Sequence, residues 1–110
     1  MSVHVAVDIG ASSGRVIVAE YEDNHFEVSE VHRFKNGFGQ VDGHDRWNID
    51  DLFDNILKGL AKVKERGIAE CTLGIDTWAV DYVLVKDGEK LGHPIAYRDS
   101  RTQKGVENVF

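Results

Sequence analysis

From Val3 to Ile9, apolar Val3, Val5, Val7 and Ile9 alternate with His4, Ala6 and Asp8, the period of a strand with one apolar face. Arg15 to Tyr21 reads as a second strand, β-branched and nearly continuous in apolarity, which predicts burial on both faces. The polar turn "EDNH" leads to a third strand from Phe26 to Phe34, whose alternation slips between Val28 and Val31, the mark of a bulge. "KNGFGQVDGHD" then reads as a loop with three glycines. In "NIDDLFDNILKGLAKVKERG", Ile49, Leu52, Phe53, Ile56, Leu60 and Val63 recur at helical spacing and define one face. Asn48 stands where it can cap this helix, Asp50 and Asp51 put negative charge at its positive end, and Gly67 suits a left-handed exit. Gly59 costs such a helix about 1 kcal/mol relative to Ala, a cost that close packing on a sheet explains.

"CTLGIDT" is a short apolar strand after the helix, so a right-handed crossover and parallel pairing are expected. "VKDGEK" signals a hairpin with Asp87-Gly88 at its turn, between Tyr82–Val85 and Leu91. The expected fold class is α/β with a mixed sheet: antiparallel meander, crossover helix, parallel strand. "RDSRTQKGVENVF" opens like a helix capped by Thr102, with Val106, Val109 and Phe110 forming an apolar stripe. A helix ending there has little chain to cover it, so residues 1–110 are expected to be part of a longer protein.

Composition narrows the classes. The 110 residues are 42% hydrophobic, enough to build a core, and carry a net charge of −6. That charge argues against a generic nucleic-acid binder, which clusters Lys and Arg. No apolar run approaches the ~20 residues a bilayer span requires. The opening does not read as a signal peptide, because Val3–Ile9 is broken by His4 and Asp8 and no basic stretch precedes it. Cys71 is the lone cysteine, which predicts a reducing, cytoplasmic setting. The five histidines are scattered, with no metal-ligand spacing.

Candidate chemistry gathers after the first strand, in "VDIGASSGRV". Ligands of α/β sheets collect outside the carboxyl ends of strands, where Asp8 and Asp76 both stand. Gly10 and Gly14 allow a close backbone approach, Ser12 and Ser13 offer hydroxyls, and successive amides can form an anion nest. Arg15 adds a permanent cation for phosphate oxygens, and an acid such as Asp8 suits Mg²⁺ beside them. The loop is neither GxxxxGK[ST] nor GxGxxG. Taken as pattern alone, a tight hairpin explains it equally well.

Four segments in order, "VAVDIGASSGR", "HRFKNG", "GIDTWAVDYVLV" and "IAYRDSRT", resemble the FGGY carbohydrate kinase family of the actin-like ATPase superfamily, from Val5 to about Thr102. The resemblance implies the amino-terminal part of a ribonuclease-H-like domain, the first of two, with the second domain absent from these residues. It implies ATP and Mg²⁺ as cofactors and a ketose, L-rhamnulose, as the sugar phosphorylated at its 1-position. It implies Mg²⁺ near Asp8 and ATP phosphates at Ala11, Ser12, Ser13, Gly14 and Arg15. It implies sugar contacts around Thr77, Trp78, Ala79, Asp81 and Arg98, with Tyr97, Asp99 and Arg101 near the cleft. Two departures stand out: Ala11 replaces a frequent Thr, and Ala79 replaces an expected Gly. No catalytic base is expected among these residues, since the family's base aspartate lies downstream.

Alternatives from other classes remain open. Acids at two strand ends could hold the metal ions of a ribonuclease-H-like nuclease. An uncovered apolar patch or sheet edge could make the chain a non-catalytic, self-associating piece. Trp78 and Tyr82 are packing aromatics as readily as sugar platforms. Arg98, Asp99 and Arg101 could form a solvated ion-pair cluster of little energetic weight. "KVKERG" reads as an exposed helix face with no partner implied.

Overall fold

In a computed structural model, residues 1–101 together with Gln103 and Gly105 are described. The chain divides into two compact units, one of residues 1–36 and 51–78, the other of residues 37–50 and 79–110.

The first unit is built on a four-stranded sheet in the order β3-β2-β1-β6. Strands β1 (Ser2–Ile9), β2 (Ser13–Glu22) and β3 (His25–Lys35) form the antiparallel meander. Strand β6 (Thr72–Thr77) then pairs with β1 in parallel, as a crossover helix requires. Asp23 and Asn24, both at positive φ, make the tight turn between β2 and β3. The bulge expected near Val28–Val31 is present. Val16 pairs with His32 and Ile17 with Glu30, leaving Val31 as the extra residue.

Helix α1 (Ile49–Glu65) supplies Leu52 and Val63 to a core with Val5, Val7, Ile9, Val16, Val18 and Phe34. Gly59 explains itself here. A Cβ at that position would stand 2.3 Å from Val16 Cγ2, so the missing side chain lets helix meet sheet. Gly67 has φ +82 and its amide bonds Lys64 O at 2.9 Å, ending the helix as its position suggests. At the other end, the Ile49 amide donates to His93 Nδ1 at 3.4 Å.

Three expectations need correction. Strand β2 is not buried on both faces: Gly14, Val16 and Val18 are buried, while Arg15, Ile17 and Ala19 are half-buried. Helix α1 covers only one face of the sheet. Phe53, expected on the apolar face of α1, is 58% exposed, because the buried stripe runs through Leu52, Gly59 and Val63. The glycine-rich "loop" contains a hairpin, β4 (Phe38–Val41) with β5 (His44–Trp47). Asp42 and Gly43, at φ 52 and 78, turn it, and the same Asp-Gly grammar recurs at Asp87 and Gly88 between β7 (Val85–Lys86) and β8 (Glu89–Lys90). Near the end, Arg101, Gln103 and Gly105 are helical; the expected cap Thr102 and the stripe Val106, Val109 and Phe110 lie outside the described residues.

Substituting Gly59→Ala tests the helix–sheet contact. It is expected to destabilise the chain by up to about 2 kcal/mol, since overpacking costs about 1–3 kcal/mol and the propensity gain offsets about 1 kcal/mol. Urea denaturation reads the shift, and a stabilised variant contradicts the close contact.

Candidate functional site

The register of the sheet assembles the nucleotide-side candidates. Asp8 pairs with Arg15 across the antiparallel edge and with Asp76 across the parallel one, while Arg15 pairs in turn with Arg33. Four charged residues, Arg33, Arg15, Asp8 and Asp76, therefore form one cross-strand row, with successive strands roughly 5 Å apart. Alternation places this row on the face opposite buried Val7, Ile9 and Val16. It lies beside the Gly10–Ser13 loop, at the carboxyl ends of β1 and β6.

Within the row Arg15 and Asp8 form an ion pair. Arg15 Nη1 donates to Asp8 Oδ2 at 2.9 Å and Nη2 to Ser13 Oγ at 3.1 Å. Arg33 grips Glu30 with two bonds of 2.8 and 2.9 Å, and that donation holds Glu30 below the usual carboxylate range. Arg15 Nε is a buried donor with no hydrogen-bond partner among the described residues. Asp8 and Arg15 are 46% and 28% exposed, so their pair is screened and can open to an incoming ligand at small cost.

The donor set suits the groups the sequence implies. Mg²⁺ takes one or two protein carboxylates and completes its shell with phosphate and water oxygens, which matches a half-exposed Asp8 next to Asp76. Among the described residues no cluster of three or more His, Cys, Asp and Glu is placed as a self-sufficient metal cage. An orphaned guanidinium N–H and the Ser12–Ser13 hydroxyl stretch suit phosphate oxygens.

Two readings of the loop change. The Gly10–Arg15 segment has no residue at positive φ, so it is not a nest of alternating right- and left-handed residues. It is a hairpin connection closed by Gly10 N donating to Ser13 O at 2.9 Å. Gly14 does not make room for a ligand: a Cβ there would stand 2.2 Å from the tip of the Phe34 ring, so its absence serves the core. The sequence reading passed over Asn36, whose side-chain amide donates to Gly10 O at 2.8 Å and whose backbone amide donates to Ser12 O at 3.0 Å. Only its place in "HRFKNG" marked it.

The sugar-side candidates are divided. Thr77 ends β6 and is exposed, while Trp78 packs against the core of the first unit, a packing role rather than an open platform. Ala79, Asp81 and Arg98 belong to the second unit. There Asp81 Oδ2 accepts the indole N–H of Trp47 at 2.6 Å, and Trp47 is 1% exposed, so this acid anchors a core aromatic. Between them Val80 sits at φ +73, a strained conformation for a β-branched residue. Arg98 is exposed and bonds the Tyr97 hydroxyl at 3.1 Å. The Arg101 guanidinium lies over the Tyr82 ring, 5.8 Å from its centre.

Asp99 is no part of a solvated ion-pair cluster. It is 3% exposed, its Oδ1 accepting the Asp45 amide at 2.7 Å and its Oδ2 accepting from His44 Nδ1 at 2.9 Å and from the Arg101 amide at 3.2 Å. The Asp45 amide first, then His44, holds its carboxyl down to about 2 against the desolvation that opposes them. It ties the β4–β5 hairpin to the segment that carries Tyr97 and Arg98.

No family model matches the chain. Among curated proteins it is 59% identical to the rhamnulokinase of Ligilactobacillus salivarius, over 99% of this chain and 23% of that protein. The rhamnulokinases of Lactiplantibacillus plantarum and Bacillus subtilis are 54% and 50% identical over 99% and 97% of the chain, and 22% of each relative. The chain thus spans under a quarter of the length of the relatives it matches. In fold it matches xylulose kinase from Lactobacillus acidophilus with a TM-score of 0.71 at 14% identity, covering 98% of this chain and 22% of that one. Gluconate kinase from the same organism gives 0.70 at 14%, covering 97% and 22%. The mixed sheet therefore has the fold of the matching parts of these two proteins, and in sequence the chain is similar to rhamnulokinases along nearly its whole length. The nuclease alternative finds no support among these relatives. Among the described residues no helix is long and apolar enough to cross a membrane.

The buried carboxylate predicts an acid-labile contribution. Asp99 titrates lower folded than unfolded, where about 3.9 is usual, so the unfolded chain binds more protons between those values. Its contribution is present above about pH 4 and is lost as pH falls through about 2. Asp99→Asn should lower the urea midpoint at pH 7, with the difference from wild type vanishing near pH 2. A constant difference across that range contradicts the assignment.

Proposed function

We propose that this rhamnulokinase-like chain forms part of an ATP-dependent sugar kinase that transfers the γ-phosphoryl of ATP to the 1-hydroxyl of L-rhamnulose. The observation that carries the nucleotide side is the paired row of Arg15, Asp8 and Asp76 beside the Gly10–Ser13 loop. In this reading Asp8 holds Mg²⁺, with Asp76 adjacent. Ala11, Ser12, Ser13 and Arg15 face the phosphates, Ala11 through the backbone alone, while Gly14, buried against Phe34, holds the loop on the sheet.

Opening of the Asp8–Arg15 pair would free the carboxylate to hold Mg²⁺ and the guanidinium to hold phosphate oxygens. Magnesium, when bound, offsets charge on the β- and γ-phosphates. The chain's own residues orient the phosphates for in-line transfer, and positioning with charge stabilisation is the main catalytic contribution in such reactions. On the sugar side Ala79 and Arg98 of the second unit border the substrate, and Asp81 holds the backbone there through the Trp47 bond. None of the acids here is assigned as the base that accepts the sugar hydroxyl proton.

Two measurements test this. In the complete enzyme that carries this segment, Asp8→Ala should lower turnover roughly 100-fold or more, with an unchanged circular dichroism spectrum. Unaltered turnover removes Asp8 from the role. The 110-residue chain alone, given ATP, Mg²⁺ and L-rhamnulose, should form no ADP beyond background in a coupled assay. Sugar-dependent ADP would show that a base is present after all.

Association of the isolated chain has its own supporting observation. Strand β6 is a sheet edge with Leu73 and Ile75 49% and 56% exposed. Size-exclusion chromatography should then show concentration-dependent dimers or larger species; a monomer at every concentration rejects this reading.

A further inference from the structure

We infer that Asn36 is the positioning residue for the amides of the phosphate-facing loop, an inference that rests on the nucleotide reading above. Its side-chain N–H₂ draws the Gly10 carbonyl toward it at 2.8 Å, and its backbone N–H draws the Ser12 carbonyl at 3.0 Å. No peptide in the described chain is cis. In a trans peptide the carbonyl of one residue and the N–H of the next point in opposite directions. Pulling the Gly10 and Ser12 carbonyls toward Asn36 therefore turns the Ala11 and Ser13 N–H groups away from it.

The remaining geometry agrees. Ser13 directs its own carbonyl to the Gly10 amide at 2.9 Å, closing the loop from the β1 side. In the β2–β3 ladder Ser13 stands opposite Lys35, and the flanking bond from Asn36 N to Ser12 O makes that a non-hydrogen-bonded pair. The Ser13 N–H thus points away from β3. A phosphate loop commonly aims its amides with a glycine in the left-handed region, yet Gly10 to Arg15 has no positive φ. A residue at the end of a neighbouring strand, 26 positions away in sequence from Gly10, takes over that task. It also bears on the Ala11 departure: where the hydroxyl of a Thr is missing, an oriented main-chain donor is what residue 11 has to offer an anion.

The test uses the ¹⁵N-labelled 110-residue chain as wild type, Asn36→Ala and Asn36→Asp, with magnesium tripolyphosphate as the probe. In the wild type the Ala11 and Ser13 amide resonances should shift saturably. In Asn36→Ala the Kd should rise tenfold or more, while core amides such as Val5 and Val18 keep their positions. A smaller loss overturns the role of Asn36 and leaves the nucleotide reading standing. No saturable shift in the wild type overturns the nucleotide reading, and this inference with it. Asn36→Asp keeps the shape but has no side-chain donor, and it is read without ligand. Its heteronuclear NOE should fall at Ala11, while Ser13, held through the backbone amide of residue 36, keeps its value; if Ala11 stays at its wild-type level the inference fails, even where Asn36→Ala does not fold.

Discussion

Asp8 is bonded from one side and neighboured from the other by the register of a single strand. Antiparallel pairing with β2 brings it Arg15, and parallel pairing with β6 brings it Asp76. A slip of one residue in either ladder would turn these side chains to the opposite face, into the core beside Val7 and Val16. The buried face thereby fixes the exposed one. The valines that pack under α1 leave no other register open, and the charged row follows from them. Gly59 is part of the same constraint, because its missing Cβ lets α1 press on Val16 and hold β2 in place.

The second unit uses a different device. With little apolar core beyond Trp47 and Ala96, it relies on two hydrogen-bonded acids, buried Asp99 and half-buried Asp81. Asp99 collects two backbone amides and an imidazole, and Asp81 collects an indole N–H. These acids lie in the motifs "YRDSR" and "WAVD", whose resemblance to sugar-kinase segments drew attention to them as ligands. Their carboxylates hold the backbone around Ala79, Tyr97 and Arg98. A motif can thus mark the support of a site as strongly as the site itself. Val80, strained at φ +73 next to the Asp81 anchor, shows that this backbone is held against its local preference.

Much of the fold was legible because period and punctuation agree. The alternation of β1, the slipped alternation that became the Val31 bulge, the helical spacing of Leu52 through Val63 and the exit at Gly67 are local signals with local causes. The β4–β5 hairpin was missed although Asp42-Gly43 signals it, since exposed Phe38 and Val41 give no apolar alternation to announce strands. The over-reading of β2 has a related cause. Apolar runs do not reveal how many faces of a sheet are covered, and here only one is.

By itself the sequence determined the strand and helix periods, the turns that Asp-Gly and Gly67 impose, and the acid–loop–arginine order after β1, because each depends on neighbours along the chain. Tertiary structure alone decided that Arg15 pairs with Asp8, that Phe34 fills the space above Gly14, that Asp99 is buried and that Asn36 grips the Gly10–Ser13 loop. Those outcomes depend on which residues lie opposite one another across strands and turns far apart in sequence. Spacing along one segment carries no record of its partner's register.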